Sequence, residues 1–347
     1  MPAVNQLDDI IEAEMDLVKL LKILKNEPSY RLQQAKKAVF ADLITDWSKV
    51  TSLPLSLRLK LARECPLTLK ARIQTSSDQQ TVKTLITLKD NLAVESVLMR
   101  HQDGRRTVCV SCQVGCPLGC RFCATGKLGF RRNLESDEII AQVLFFGRYL
   151  KNQPTPEKVS NIVFMGMGEP FLNFENVIYA IRTLNDKNGF NLGIRHFSIS
   201  TAGIIPGIKK LAREKLEVNL AISLHAPFDQ LRSQLMPINR KYPLKQVLVA
   251  VDKYIRETNR KVMFEYLLIK DVNDSQECAF KLAQLMKKRL YLVNLISYNP
   301  TGDFAASPNN RIKKFKEILE NQGVKVTQRW RFGGKIKAAC GQLAAEN

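Results

Sequence analysis

The sequence predicts an α/β fold: a partial barrel of six parallel strands, preceded by a small, mostly helical N-terminal unit. Three observations lead there. From Thr107 onward, short β-rich runs alternate with amphipathic helices, each pair taking a few tens of residues. Only six such strands can be placed, fewer than the eight of a closed barrel. The polar and cysteine-bearing motifs then fall just past the strand C-terminal ends, where barrels of this kind build their sites.

In chain order, Leu17 to Lys25 and Tyr30 to Leu43 read as helices and Thr81 to Leu88 as a strand, within an accessory unit spanning 1–95. The barrel strands are expected at Thr107 to Ser111, Asn161 to Met165, His196 to Ser200, Val218 to Leu224, Val262 to Ile269 and Leu292 to Ser297. Between them lie helices at Ser136 to Leu150, Phe174 to Asn185, Ile205 to Arg213, Lys245 to Glu257 and Gln276 to Lys288, with Asn310 to Asn321 after the sixth strand. Apolar residues recur on one face of each, as with Ile139, Ile140, Val143 and Leu144. These elements make up a core of 96–337, followed by a short tail of 338–347.

The formal charge of +20 points to a polyanion or an anionic membrane as partner. Residues 1–95 hold 14 basic and 12 acidic side chains, so nearly all of the excess lies in the core. No run of eighteen or more apolar residues is present, and Met1 to Asp16 is acidic where a signal peptide would be basic and then apolar. A cytoplasmic location without membrane contact is expected. Eight cysteines there point to metal binding or catalysis rather than a disulfide scaffold, because cytosolic thiols are kept reduced.

Cys116-Pro-Leu-Gly-Cys120-Arg-Phe-Cys123 follows the first barrel strand. Three thiolates spaced C-x3-C-x2-C can each bind a different iron, leaving one iron of a four-iron cluster without a protein ligand. A structural zinc site is the alternative, but such sites normally have four ligands. The chain's three histidines, at 101, 196 and 225, supply no suitably spaced partner.

This loop resembles the signature of radical S-adenosylmethionine (SAM) enzymes. The closer resemblance is to the RlmN/Cfr family of RNA adenine methyltransferases. It is carried by Cys109-Val-Ser-Cys-Gln-Val-Gly-Cys116, Phe122-Cys-Ala-Thr-Gly126, Met165-Gly-Met-Gly-Glu-Pro170, Ile222-Ser-Leu-His-Ala-Pro227, Ala339-Cys-Gly-Gln-Leu343 and Pro28-Ser-Tyr-Arg31. The resemblance implies a partial (β/α)6 radical SAM barrel with an N-terminal RNA-binding unit. It also implies one [4Fe-4S] cluster on Cys116, Cys120 and Cys123, and two SAM molecules used per methylation.

An adenine ring carbon between two nitrogens is electron-poor and does not attack the SAM methyl directly, so the chemistry needs a covalent relay. By resemblance, Cys340 carries the methyl, Cys109 resolves the adduct through a transient disulfide, and Glu95 takes the ring proton. Without the resemblance, Cys109 reads equally as a small buried hydrophobe in a strand and Glu95 as a solvated carboxylate. SAM contacts are expected from Gly168, Glu169, Ser200, Ser223, Leu224, His225 and Asn299. The plain readings there are a structural histidine and a capping serine. Two positions depart from the family pattern: Cys112 replaces a usual serine, and Lys335-Ile-Lys337 stands where acidic residues are usual.

Residues 311–347 hold nine basic and three acidic side chains, with Trp330 among Arg329, Arg331 and Lys335. Charge with an aromatic surface suits RNA backbone contact and base stacking, although a solvated face looks the same. The implied substrates are an adenosine of the peptidyl-transferase centre of 23S rRNA and the adenosine beside the anticodon in tRNA, and the implied electron donor is a protein such as flavodoxin. Methylation at C8 is the neighbouring alternative to C2. A non-catalytic, metal-stabilised RNA-binding protein is the more distant one.

Overall fold

The computed structural model describes residues 17–329 and 332–345. Four antiparallel strands start the main sheet: β1 (Ala71–Thr75), β2 (Thr81–Thr87), β3 (Ala93–Arg100) and β4 (Arg106–Val110). A separate two-stranded ribbon follows, β5 (Gln113–Gly115) and β6 (Phe130–Asn133). The sheet then continues in parallel from β4 through β7 (Asn161–Phe164), β8 (Phe197–Thr201), β9 (Asn219–Ser223), β10 (Val262–Leu268), β11 (Tyr291–Ser297) and β12 (Val326–Gln328). All six expected barrel strands are present. β12 adds a seventh parallel strand, too short and too exposed to show an apolar period.

The strands pair in parallel because helices cover the outer face between them. β10 has the continuous apolar character of a strand buried on both sides, interrupted by Glu265. The longest covering helix, Ser136–Lys151, starts at a capping box in which Glu135 and Glu138 exchange side-chain and backbone hydrogen bonds. The helix Gln276–Met286 is capped by Ser275, whose hydroxyl accepts from the Cys278 N–H at 3.1 Å. Bounds agree with the periodicity to within two residues at most ends of these helices.

The N-terminal unit differs more. Tyr30 to Leu43 is an α-helix only over Ser29–Lys36, widening into a π turn at Lys37–Ala41, and a further helix, Leu55–Glu64, is present. The boundary expected at residue 95 falls inside β3, which pairs with β4 through Val97 and Cys109. Sheet hydrogen bonding therefore runs unbroken from the accessory strands into the barrel.

Arg232 ties the barrel's loop ends together. It is fully buried in the short helix Asp229–Leu235. Its guanidinium donates to Ala202 O (2.7 Å) after β8, to Ser223 O (3.1 Å) and Leu224 O (3.1 Å) at the end of β9, and to Asn239 Oδ1 (2.8 Å). Burial draws this guanidinium down to about 10, against the opposing charges of Cys120 and Asp229. Arg232→Met would remove the guanidinium from the Ala202 and Ser223 carbonyls and from Asn239 Oδ1, and leave Leu224 O only the Ala226 N–H. The expected loss is roughly 3 kcal/mol or more of unfolding free energy, read by urea denaturation.

Candidate active site

The site begins where β4 ends. Ser111 joins three elements: its hydroxyl donates to Glu95 O (2.6 Å) and accepts from Met167 N–H (2.9 Å), and its backbone exchanges two hydrogen bonds with the Gln142 side chain. Cys112 N–H donates to Met167 O (2.8 Å), and Asn173 Nδ2 donates to Cys112 O (2.8 Å). The ribbon β5–β6 then turns the chain at Gly115, where a Cβ would lie 1.9 Å from Gly129 O. That close approach starts the cysteine loop, with Cys116 N–H on Gly129 O at 2.8 Å.

Cys116, Cys120 and Cys123 are half-buried in this loop, where Cys123 lies close enough to raise Cys116, and Cys123 and Cys116 close enough to raise Cys120. Burial, with the neighbouring thiols adding, pushes Cys116 up to about 12 and holds Cys120 and Cys123 above the usual range. Three soft thiols in so apolar a setting need a cation before they ionise, which fits an iron–sulfur cluster. Among the described residues, no three Cys, His, Asp or Glu side chains gather closely enough for a single metal ion. The fit therefore rests on the donor set.

The residues expected to contact SAM lie at the ends of neighbouring strands and in the loops that follow them. Glu169 is buried and its carboxylate is engaged internally, accepting from Phe171 N–H (3.0 Å) and Ala202 N–H (2.7 Å). Burial raises it to about 7, against the hydrogen bonds from Ala202, Thr201 and Phe171 that lower it. Its carboxylate thus bridges the loops after β7 and β8. Gly168 is held at φ +101° with its Cα against Gln113, where a Cβ would meet the Gln113 Cβ at 2.6 Å. Ser200 and Ser223, at the ends of adjacent strands, place their hydroxyls 3.4 Å apart.

His225 takes a structural place. Its Nδ1 accepts from Leu267 N–H (3.1 Å), burial draws it down to about 3, and its ring meets Phe122 edge-on at 4.8 Å. A neutral imidazole thus braces the cysteine loop. Leu224 is wholly buried, and its N–H donates to Glu265 O (3.0 Å).

The tail folds back to meet the loop. Ala124 N–H donates to Gly341 O (2.7 Å), Thr125 Oγ1 to Leu343 O (2.6 Å), Gln342 Nε2 to Pro300 O (3.2 Å) and Asn299 Nδ2 to Cys340 O (3.3 Å). As a result Cys340 and Cys109 line one cavity of about 40 Å³, together with Val97, Met99, Asn299 and Arg329. Burial, with the Cys340 charge adding, pushes Cys109 up to about 12, and Arg329 works the other way. Glu95 is buried at the edge of the same tail, accepting from Ala344 N–H (2.8 Å) and Ala345 N–H (3.2 Å).

The sequence reading missed Arg232, Arg329 and Thr125 as parts of the site. Arg329 was expected on an RNA-facing surface. Its Nη1 instead lies 3.4 Å from Met165 Sδ, and its charge is held up by Cys340, Glu265 and Cys109 against burial. A basic residue's burial leaves no trace in composition, and only Thr125, inside a quoted motif, carried a signal. Trp330 and Arg331 lie outside the described residues.

The model for the radical SAM superfamily matches residues 110–283. A "probable dual-specificity RNA methyltransferase RlmN" of Dictyoglomus thermophilum is 42% identical, over 98% of this chain and 97% of its own length. The protein of the same name from Carboxydothermus hydrogenoformans is 45% identical, over 92% and 93%. Among solved structures, a radical SAM methyltransferase from Sphaerobacter thermophilus superposes with a TM-score of 0.91 at 44% identity, covering 96% of this chain and 98% of that one. With a cysteine loop, a returning tail and near-complete coverage in agreement, the chain belongs to the RlmN family of radical SAM methyltransferases.

Proposed function

We propose that this protein methylates C2 of adenosine in RNA through a methyl relay on Cys340 that Cys109 resolves. The observation carrying this reading is the shared cavity, which brings a strand cysteine and a tail cysteine together beside the three-cysteine loop. The near-full-length likeness to proteins named as dual-specificity RNA methyltransferases supports RNA as the substrate. We assign the two substrates to the 23S rRNA peptidyl-transferase centre and the tRNA position beside the anticodon. No described helix is long and apolar enough to cross a membrane.

Cys116, Cys120 and Cys123 are the residues to hold one [4Fe-4S] cluster; with SAM at its open iron and an electron from a donor such as flavodoxin, it supplies a 5'-deoxyadenosyl radical. The Gly168–Glu169 backbone, Ser200, Ser223 and Asn299 orient SAM, while Glu169 and His225 position those loops through their own hydrogen bonds. Cys340 accepts a methyl from one SAM and loses a hydrogen atom from it at the expense of a second. It thereby presents a one-carbon radical that can add to an electron-poor ring carbon. Glu95 then takes the ring proton. The Cys109 thiolate then attacks the Cys340 sulfur: the S–S bond forms as the sulfur–methylene bond breaks, the carbon left on the ring takes up a proton as the product methyl, and the one remaining electron of the ring radical returns to the electron-donor system. Arg329 would favour that thiolate. Because the reacting carbon lies within a base, the nucleotide must enter flipped out of its stack.

Three outcomes are expected. Changing Cys116, Cys120 or Cys123 to Ala removes bound iron and sulfide, and the absorbance near 400 nm with them, whereas a protein that folds around zinc would keep its metal-free optical spectrum. Purified from an RNA-modifying host, Cys109→Ala carries RNA crosslinked to Cys340 in its intact mass, and Cys340→Ala carries none. RNA-free Cys109→Ala together with active Cys340→Ala rejects the relay. Nucleoside mass spectrometry of product RNA matches a 2-methyladenosine standard, and an 8-methyladenosine match transfers the protein to the C8 reaction.

A further inference from the structure

Glu95 is held from two sides. One carboxylate oxygen accepts both tail amides, those of Ala344 and Ala345, and the other stands 2.7 Å from Lys83 Nζ. Lys83 lies on β2 opposite Val97 of β3, and Val97 lies opposite Cys109 of β4. The three therefore share one face of the sheet, with Glu95 diagonal to Lys83 on it. The Lys83 and Glu95 side chains are 14% and 5% exposed, so this is an enclosed ion pair on the sheet face whose Val97 and Cys109 line the relay cavity.

The cavity holds about 40 Å³. That is room for a few water molecules at most and far less than an adenine needs. A base reaches Cys109 and Cys340 only after the tail shifts. A carboxylate oxygen taken up by two amides is also closed to any further proton donor, since its lone pairs are in use. Tail closure and availability of that oxygen exclude each other.

We propose that Lys83 is a positioning residue acting through Glu95: the pair latches the tail over the two cysteines before RNA arrives, and tail release frees Glu95 for the substrate. The inference rests on the relay reading above for the second half of this cycle. Lys83 grips the oxygen that the tail does not use, so the carboxylate keeps its place on the sheet face beside the cavity when the amides leave instead of following the tail outward. Nucleotide entry and exposure of the proton acceptor become one event, and Cys340 is shielded from oxidation between turnovers.

The test is hydrogen–deuterium exchange of the tail in the anaerobically reconstituted, RNA-free protein, compared among wild type, Glu95→Gln, Lys83→Met and Lys83→Arg. Loss of charge-assisted hydrogen bonds to two amides raises their exchange about tenfold or more in Glu95→Gln and Lys83→Met. Lys83→Arg, which keeps the cation, restores slow exchange, and amides within β2 and β3 keep wild-type rates. Unchanged exchange at Ala344 and Ala345 in Glu95→Gln overturns the latch. Loosening spread over β2 and β3, or Lys83→Arg behaving as Lys83→Met, overturns the positioning role. Should Lys83→Met fail to fold, Glu95→Gln and Lys83→Arg decide the matter alone. The readout needs no methylation, so it separates failure of the latch from failure of the relay, which the crosslinked-RNA measurement addresses.

Discussion

The segment around Cys340 is held against the cysteine loop, and the rest of the candidate site is arranged around that contact. Tails fray because few contacts offset their conformational entropy. Here the segment around Cys340 is fastened by hydrogen bonds from Ala124, Thr125, Asn299 and Gln342 and by the Glu95 carboxylate. Two of those fasteners come from the turn directly after Cys123. The closed position of the tail is thus set by the same loop that carries the three thiols.

Buried charge does the corresponding work inside the barrel. Glu169 and Arg232 are enclosed polar residues that spend their hydrogen bonds on backbone groups of neighbouring loops: Glu169 on Phe171 and Ala202, Arg232 on Ala202, Ser223 and Leu224. Ala202 is gripped from both sides, by a carboxylate at its N–H and a guanidinium at its carbonyl. Such arrangements cost desolvation and are stable only when fully satisfied. They give the loop ends one geometry, which an apolar packing would leave softer.

The N-terminal unit acquires a second purpose from the sheet. β2 and β3 extend the barrel sheet past β4 without a break, and their inward face carries Lys83, Glu95, Val97 and Met99. Val97 and Met99 of that face line the cavity shared by Cys109 and Cys340, so a segment expected as a separate appendage builds part of the candidate site. The fold continues through it because β3 finds its partner in β4 by simple antiparallel pairing, needing only the short turn at His101 to Arg105.

The sequence by itself determined the barrel strands, most of the helices and the identity of the chemical groups. Apolar period and strand-end motifs are local properties, and the spacing of Cys116, Cys120 and Cys123 is read along one loop. Cys109 and Glu95 could be named through family likeness, but nothing local distinguished either from a core thiol or a surface carboxylate. Only the tertiary structure decided that Cys109 and Cys340 share a cavity, that Arg329 points inward, that Arg232 is buried, that His225 is a brace and that Lys83 meets Glu95. Each of these depends on contacts between segments far apart in the chain, and on which face of a strand or helix is turned inward. Burial and pairing of polar side chains follow from packing, which composition and spacing do not encode.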